Sequence, residues 1–467
     1  MIKIDDELKF RIPMLTERNL PLLERLIEHK HSPIYNFSCG DRLTFTDKKF
    51  LDVYEEDLQQ RSLGEKIPGE KWIETIHKQS ESSPFLKKQT HLLDLNSDFE
   101  RIPLMHRGDL SKHLVDIVPD GSDFSRLIVN PTSGTTGHSI PCPNHPLAIG
   151  CYNPLLFYSL KSNGISIQLN ETTIASMLIC SQENTIVYST VKPILNGAGY
   201  SKINLNPKTW NDPGDTVKFI EDLQPEFLCG DPVSFYDLLS YPLKYQPKAL
   251  LSTSLKMTDG IRKRLIETFG CPVVDFYSLN ETGPIAYSCR KDPNTFHVLP
   301  KDLFVEITDS EGNRLPEGEI GFIVVTGGRN PYLPLLRYNT GDRGSLDFSP
   351  CDCGEKTPKL RMEEARKPVY FINNSGKRIN PIDISRWIRK FRVHRHKLFQ
   401  KKNGDLELIL DIEKGFFDGR DETNLSEGLK EMFSKDQSIQ IEIKEGNSID
   451  WEGFQIYESE LNPLENL

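Results

Sequence analysis

The sequence predicts an α/β protein: a large N-terminal α/β domain with a β-rich subdomain, followed by a small C-terminal α+β domain. Three observations carry this. From about residue 124, short apolar runs alternate with amphipathic helical stretches. Between 303 and 348 the texture becomes β-rich. From about 363 the chain sets out its own mixture of strands and helices over about a hundred residues, a usual domain size.

Residues 15–80 carry helical patterns divided by charged turns, as in TERNLPLLERLIEHKH and KWIETIHKQS. RLIVN, TIASMLIC and PVVDFY are short, β-branched and bounded by turn residues, so they read as strands. TVKFIEDL and TDGIRKRLIETF repeat their apolar residues at helical spacing. LFVEITDS and EIGFIVVTG flank the turn EGNRLPEG. The last segment offers VYFIN, a helix PIDISRWIRKF, strands HKLFQ and LELILDI, a helix NLSEGLKEMF and a strand SIQIEIKE. A chain of 467 residues exceeds what one core organises, so at least two domains are expected.

Composition narrows the function. Hydrophobic residues at 37% and charged residues at 27% fit an ordinary globular protein. The formal net charge is −10 and no long Lys/Arg stripe occurs, which argues against a nucleic-acid partner, since binding phosphates needs clustered positive charge. MIKIDDELKF has no apolar run of the signal-peptide kind, and no stretch is long enough to span a bilayer. A cytoplasmic protein without a membrane partner is expected. The nine cysteines then point to free thiols or a metal before disulfides.

Chemistry concentrates in three segments. Asn130-Pro131-Thr132-Ser133-Gly134-Thr135-Thr136-Gly137 follows the predicted strand RLIVN. Its glycines allow close backbone approach, and its hydroxyls and N–H groups can surround phosphate oxygens. It lacks the Gly-Lys-Ser/Thr ending of a Walker loop, and by itself it also reads as a solvated turn. Phe276-Tyr277-Ser278-Leu279-Asn280-Glu281-Thr282-Gly283 ends a second strand: an aromatic able to stack on a base, then a carboxylate able to hold Mg²⁺. Arg337-Tyr338-Asn339-Thr340-Gly341-Asp342 puts a carboxylate in a tight turn, suited to two ribose hydroxyls.

In this order the segments resemble the phosphate loop, the adenine/Mg²⁺ motif and the ribose motif of the adenylate-forming enzyme superfamily. They are most similar to its phenylacetate–coenzyme A ligase-like branch, whose lead-in to the phosphate loop resembles SSPFLKK (82–88) and RIPLMHRGDLSKHL (101–114). The resemblance covers roughly 71–392. It implies an N-terminal extension over 1–70 packed on a large adenylation domain, 71–362, and a C-terminal lid, 363–467. It also implies that Thr132, Ser133, Gly134, Thr135, Thr136 and Gly137 contact the ATP phosphates. Ser252, Thr253, Ser254, Phe276, Tyr277, Ser278 and Asn280 would line the AMP site, with Tyr277 stacked on adenine. Asp342 and Arg366 would hold the ribose, and Glu281, Thr135 and Arg366 would serve catalysis, Glu281 through Mg²⁺.

The implied reaction joins a small carboxylic acid to AMP and passes the acyl group to a thiol, that of coenzyme A or a carrier protein. The acid should sit near Gly230-Asp231-Pro232, Ser252-Thr253-Ser254 and Tyr277. Nothing in those segments signals a charged substrate, so a small aromatic or aliphatic acid is expected. Whether the acceptor is a thiol or an amine stays open, as does a homodimer.

Cys289, His297, Cys351 and Cys353 form a second constellation. Three thiolates and an imidazole suit tetrahedral Zn²⁺, and Cys-x-Cys is too short to close comfortably as a disulfide. The Cys-x-Cys-Gly after the ribose motif also resembles a structural zinc site of the same branch. Unrelated free cysteines are the alternative. Four protein ligands leave no open position, so the metal would be structural.

The chain departs from the family at four positions. The tail SIDWEGFQIYESELNPLENL has no lysine where the family carries one that touches the carboxylate and α-phosphate. Pro368 stands where the hinge Asp or Lys is usual, fixing φ where rotation is needed. Asn280 and Asn339 replace a Thr/Ser and an Arg, two changes that are tolerable. Lys367 and Lys377 are candidates to replace the missing charge. A nucleotide- or acyl-adenylate-binding scaffold, or an enzyme running one half-reaction, is the competing reading.

Overall fold

The computed structural model describes residues 2–59, 69–131, 140–327, 329–364, 367–391, 393–412, 417–445 and 456–464. A twelve-stranded sheet organises the large part of the chain. Its strands run in the order Leu303–Thr308, Gly321–Gly327, Leu335–Asp347, Lys359–Glu364, Thr295–Val298, Gly283–Ser288, Val273–Leu279, Ala249–Ser252, Phe227–Gly230, Ile174–Cys180, Ala198–Asn204 and Tyr188–Lys192. From Val273–Leu279 to Ala198–Asn204 neighbours are parallel, and the two flanks are antiparallel. Parallel strands covered on both faces should read as continuous apolar runs, and TIASMLIC does.

The helices Asp215–Leu223, Pro232–Leu238 and Asp259–Phe269 bury Phe219, Phe235 and Leu265 on one face. Leu22, Leu23 and Leu26 of the early helix Leu20–Ile27 join that core, so the N-terminal segment packs directly on the sheet. Burial of each such leucine is worth about 1.5–3 kcal/mol. Leu51 and Tyr54 of Phe45–Gln59 and Leu155 and Tyr158 of Tyr152–Ser162 cover the other face. Caps fix the helices over the sheet. Asp231 Oδ1 accepts from the Ser234 N–H at 2.8 Å, and Gly270, at φ +63°, ends Asp259–Phe269.

The small C-terminal domain is a separate four-stranded sheet, ordered Ile439–Glu445, Leu406–Ile412, Val393–Gln400 and Tyr457–Ser459. The helices Pro381–Ile388 and Gly419–Met432 pack on it. A Cβ on Gly428 would fall 2.0 Å from the Trp387 ring, so only glycine lets these helices meet. Arg378 pairs with Asp237 at 2.7 Å, Tyr370 bonds the same carboxylate, and the Glu183 N–H donates to Asp383 at 2.8 Å. These polar contacts dock the small domain on the large one.

Some elements differ from expectation. PIDISRWIRKF stops being helical after Ile388, and VYFIN pairs only at Phe371–Ile372. Tyr152–Ser162 carries Pro154 in its first turn, where proline is tolerated, and apolar residues on most of its circumference, so no stripe announces it. No helix among the described residues is long and apolar enough to cross a membrane.

Candidate nucleotide site and metal centre

The C-terminal ends of adjacent parallel strands gather the expected segments. Gly230 pairs with Ser252, and Ser252 with Asp275, so Gly230-Asp231-Pro232, Ser252-Thr253-Ser254 and Phe276-Tyr277-Ser278 lie side by side. This is the crevice at strand ends where open α/β sheets bind ligands. Thr253 Oγ1 and Ser278 Oγ are 2.8 Å apart, tying two of these ends together, and Ser254 takes φ +76°. Ser252 is fully buried, and Phe276 turns into the core beside Tyr287.

Two motifs far apart in sequence meet here. The Tyr277 hydroxyl donates to Asp342 Oδ2 at 2.9 Å, and the Tyr338 hydroxyl donates to Glu281 Oε1 at 2.7 Å. Burial, then the Glu281 charge, holds the Tyr338 phenol well above its usual range, so it stays a donor. Arg107 Nη1 lies 3.6 Å from Glu281 Oε1, at the first turn of Arg107–Lys112. Asn280 Nδ2 donates to the Pro131 carbonyl at 3.2 Å, which brings this motif to the residue that precedes Thr132. Gly283 is at φ +71°, and a Cβ there would sit 2.4 Å from the Tyr152 ring. No other residue fits that turn.

The turn before Asp342, expected to hold the ribose, rests on Arg337. Its guanidinium, 1% exposed, donates to Glu306 at 2.9 and 3.4 Å and to the carbonyls of Glu100, Ile102 and Gly312 at 2.6, 2.9 and 2.7 Å. Its backbone is at φ +46°. Asn339 Oδ1 accepts from the Gly341 N–H at 2.8 Å, so the asparagine found where the family has arginine shapes the turn from within.

Thr132, Ser133, Gly134, Thr135, Thr136, Gly137 and Arg366 lie outside the described residues. Lys367 is exposed, and Lys377 pairs with Glu183 at 3.5 Å, a contact between the two domains. The Pro368 carbonyl accepts from Asn462 at 3.1 Å, which ties the hinge region to the tail.

The cysteine constellation converges from three places: Cys289 after Gly283–Ser288, His297 within Thr295–Val298, and Cys351 and Cys353 in the turn after Leu335–Asp347. The four donor atoms all lie within 4.8 Å of one another. Cys289 and Cys351 sulfurs are 3.7 Å apart, and Cys353 Sγ is 3.2 Å from His297 Nε2. A tetrahedral Zn²⁺ with Zn–S bonds of about 2.3 Å sets sulfurs about 3.8 Å apart, so the residues fit this ion. The Lys291 and Glu355 N–H groups donate to Cys289 and Cys353 sulfurs at 3.3 and 3.4 Å, donors of the kind that stabilise a metal-bound sulfur. Burial lowers the His297 pKa, keeping the imidazole neutral, the form that ligates. Nearby, the buried Glu355 accepts hydroxyls from Tyr158, Tyr287 and Ser162 at 3.0, 2.7 and 3.1 Å, anchoring the turn to Tyr152–Ser162.

No family model matches the chain. Over 217 residues it is 30% identical to a phenylacetate-coenzyme A ligase of Thermus thermophilus, covering 43% of this chain and 48% of that protein, about half its length. Over 381 residues it is 22% identical to Protein CapK of Staphylococcus aureus, covering 78% of this chain and 77% of that one. Among solved structures it is similar to 2-hydroxyisobutyryl-CoA ligase in complex with 2-HIB-AMP and CoA, with TM-score 0.52 and 16% identity over 89% of this chain and 90% of that. The chain has the adenylate-forming fold. In sequence it is similar to phenylacetate-coenzyme A ligases over part of its length.

Within that fold, sequence reasoning missed Arg107, Tyr338 as the partner of Glu281, and the Arg337 clamp. RIPLMHRGDL and RYNTGD contain all three residues, but nothing local tells which carboxylate or carbonyl each will meet.

Proposed function

We propose that the chain activates a carboxylic acid as its acyl-adenylate at the expense of ATP and transfers the acyl group to a thiol, that of coenzyme A or of a carrier protein. One observation carries this: the Tyr277 hydroxyl meets Asp342 at 2.9 Å, so the segments read for adenine and ribose meet at one crevice, and Asn280 reaches Pro131, the residue before the segment read for phosphate, at 3.2 Å. Kinship with phenylacetate-coenzyme A ligase supports the same reading.

In it Tyr277 stacks on adenine, with Ser252, Thr253 and Ser254 alongside, and Asp342 and Arg366 hold the ribose. Residues Thr132 to Gly137 surround the phosphates. Glu281 is the carboxylate that would hold Mg²⁺, which supplies positive charge against the phosphate oxygens. A carboxylate oxygen of the acid attacks the α-phosphorus, and pyrophosphate leaves with the electrons of the broken P–O bond. The thiol sulfur then attacks the acyl carbon, AMP departs, and the thiol proton passes to solvent. The chain contributes position and fixed charge to both steps. Cys289, His297, Cys351 and Cys353 would hold a structural Zn²⁺ that fixes the strand ends behind the ribose turn. The units are 1–70, 71–362 and 363–467.

The test is incubation with ATP, Mg²⁺, coenzyme A and a panel of carboxylic acids, read by mass spectrometry. An acyl-coenzyme A formed together with AMP and pyrophosphate is the expected product. ATP consumed to ADP, or no acyl transfer to any thiol offered, contradicts the reading.

A further inference from the structure

On the face of the sheet that packs Phe45–Gln59 and Tyr152–Ser162, side chains cross four strands in register. Cys229 pairs with Leu178, Leu178 with Lys202, and Lys202 with Tyr188. Tyr200 and Lys192 follow on the same face toward the sheet edge. All six are half-buried. Lys192 keeps some accessible area although protein surrounds it, as a recess in this face would leave. Its ammonium stands 4.3 Å from the Tyr200 ring centroid, and the Phe37 and Tyr188 rings, 5.8 Å apart, bring the N-terminal segment over the recess. That segment adds Asp41, whose carboxyl burial pushes up to about 6. Among the described residues no carboxylate comes within ion-pair distance of Lys192. Burial lowers the lysine's own pKa, while the Asp41 charge acts the other way.

A cation this enclosed and left without a carboxylate partner is expensive, and it is stabilised when an anion arrives beside it. The recess begins at Cys229, the residue before Gly230-Asp231-Pro232, where the acid is expected. Three strand spacings, about 14 Å, separate that strand from the edge strand, and the lysine stem shortens the span. The Tyr188 and Tyr200 hydroxyls, both held protonated by burial, add donors.

We propose, resting on the acid-activating reading above, that the substrate acid carries a second carboxylate at the end remote from the reacting one, received by Lys192 with Tyr188 and Tyr200 beside it. The N-terminal segment thereby shapes substrate choice, and the substrate class is a dicarboxylic acid of medium length. This departs from the uncharged acid that the strand-end segments alone suggest.

The experiment pairs matched acids, adipate with hexanoate and terephthalate with benzoate, in pyrophosphate exchange. Wild type should favour the diacid in kcat/KM, and Lys192→Met should collapse the ratio by about 10²-fold, the worth of one charge-assisted contact. Lys192→Arg should retain most of the preference. The double variant Lys192→Met/Asp41→Asn removes the stranded carboxylate and guards against misfolding. Exchange that favours the monoacids, or a ratio unmoved by Lys192→Met, overturns the inference and leaves the acid-activating reading standing. If no acid supports exchange, that reading fails, and calorimetric titration with the two diacids decides the inference alone. Binding weakened about 10²-fold in Lys192→Met supports it, and no binding to wild type overturns it.

Discussion

Replacing Arg337 with methionine keeps the stem and removes the guanidinium. Glu306, 1% exposed, then loses its ion-pair partner, with only the more distant Arg314 charge remaining, and the carbonyls of Glu100, Ile102 and Gly312 lose their donor. Breaking a buried ion pair from one side costs about 3–5 kcal/mol. At about 2–4 °C per kcal/mol for a domain of this class, the melting temperature should fall by roughly 6–20 °C. The expected readout is thermal unfolding followed by circular dichroism, with the urea midpoint moving in the same direction. Arg337→Met/Glu306→Gln removes the stranded charge and should recover part of the loss. A fall under about 2 °C in Arg337→Met would refute the clamp and, with it, the claim that the ribose turn is held from beneath.

Three further outcomes are expected. Purified protein should carry about one Zn²⁺ per chain, and Cys351→Ser should lose it and melt earlier, because structural zinc contributes to folding directly; elemental analysis without zinc contradicts the metal centre. Glu281→Ala should abolish pyrophosphate exchange, or Mg²⁺-dependent ATP binding where exchange is weak, with the circular dichroism spectrum unchanged; full activity in that variant removes Glu281 from the metal role. Asp347 is held down to about 2; burial opposes this, but the Lys359 ammonium at 2.6 Å prevails. A depressed carboxylate adds stability above its unfolded pKa of about 3.9 and loses it as pH falls toward the folded value. Asp347→Asn should therefore flatten the acid limb of the stability curve between those values, and an unchanged limb contradicts the pairing.

Of the parallel strands, Ile174–Cys180 and Val273–Leu279 were legible because burial on both faces leaves apolar runs, and the helices Asp215–Leu223 and Asp259–Phe269 because their apolar residues repeat at helical spacing; the shorter Phe227–Gly230, Ala249–Ser252 and Pro232–Leu238 leave no such signal. The metal constellation was legible because Cys-x-Cys is a local signal, even though Cys289 and His297 come from other strands. Arg337 was not: its backbone lies at φ +46°, and its partners come from residues 100, 102, 306 and 312. Lys192 was not either, since its surroundings combine residues 188, 200 and 229, brought together by strand register, with residues 39 and 41 of the N-terminal segment. The final strand, Tyr457–Ser459, is three residues long and gains its place only by pairing with Val393–Gln400. Tertiary register, rather than local pattern, decides each of these.

The central claim is that the crevice at the strand ends forms an acyl-adenylate. ATP–pyrophosphate exchange in the presence of Mg²⁺ and one carboxylic acid at a time measures that step without any acceptor thiol. Exchange above the acid-free blank, lost in Asp342→Ala, is the expected result. Tight ATP binding with no acid-dependent exchange across a panel that includes mono- and dicarboxylic acids would contradict it.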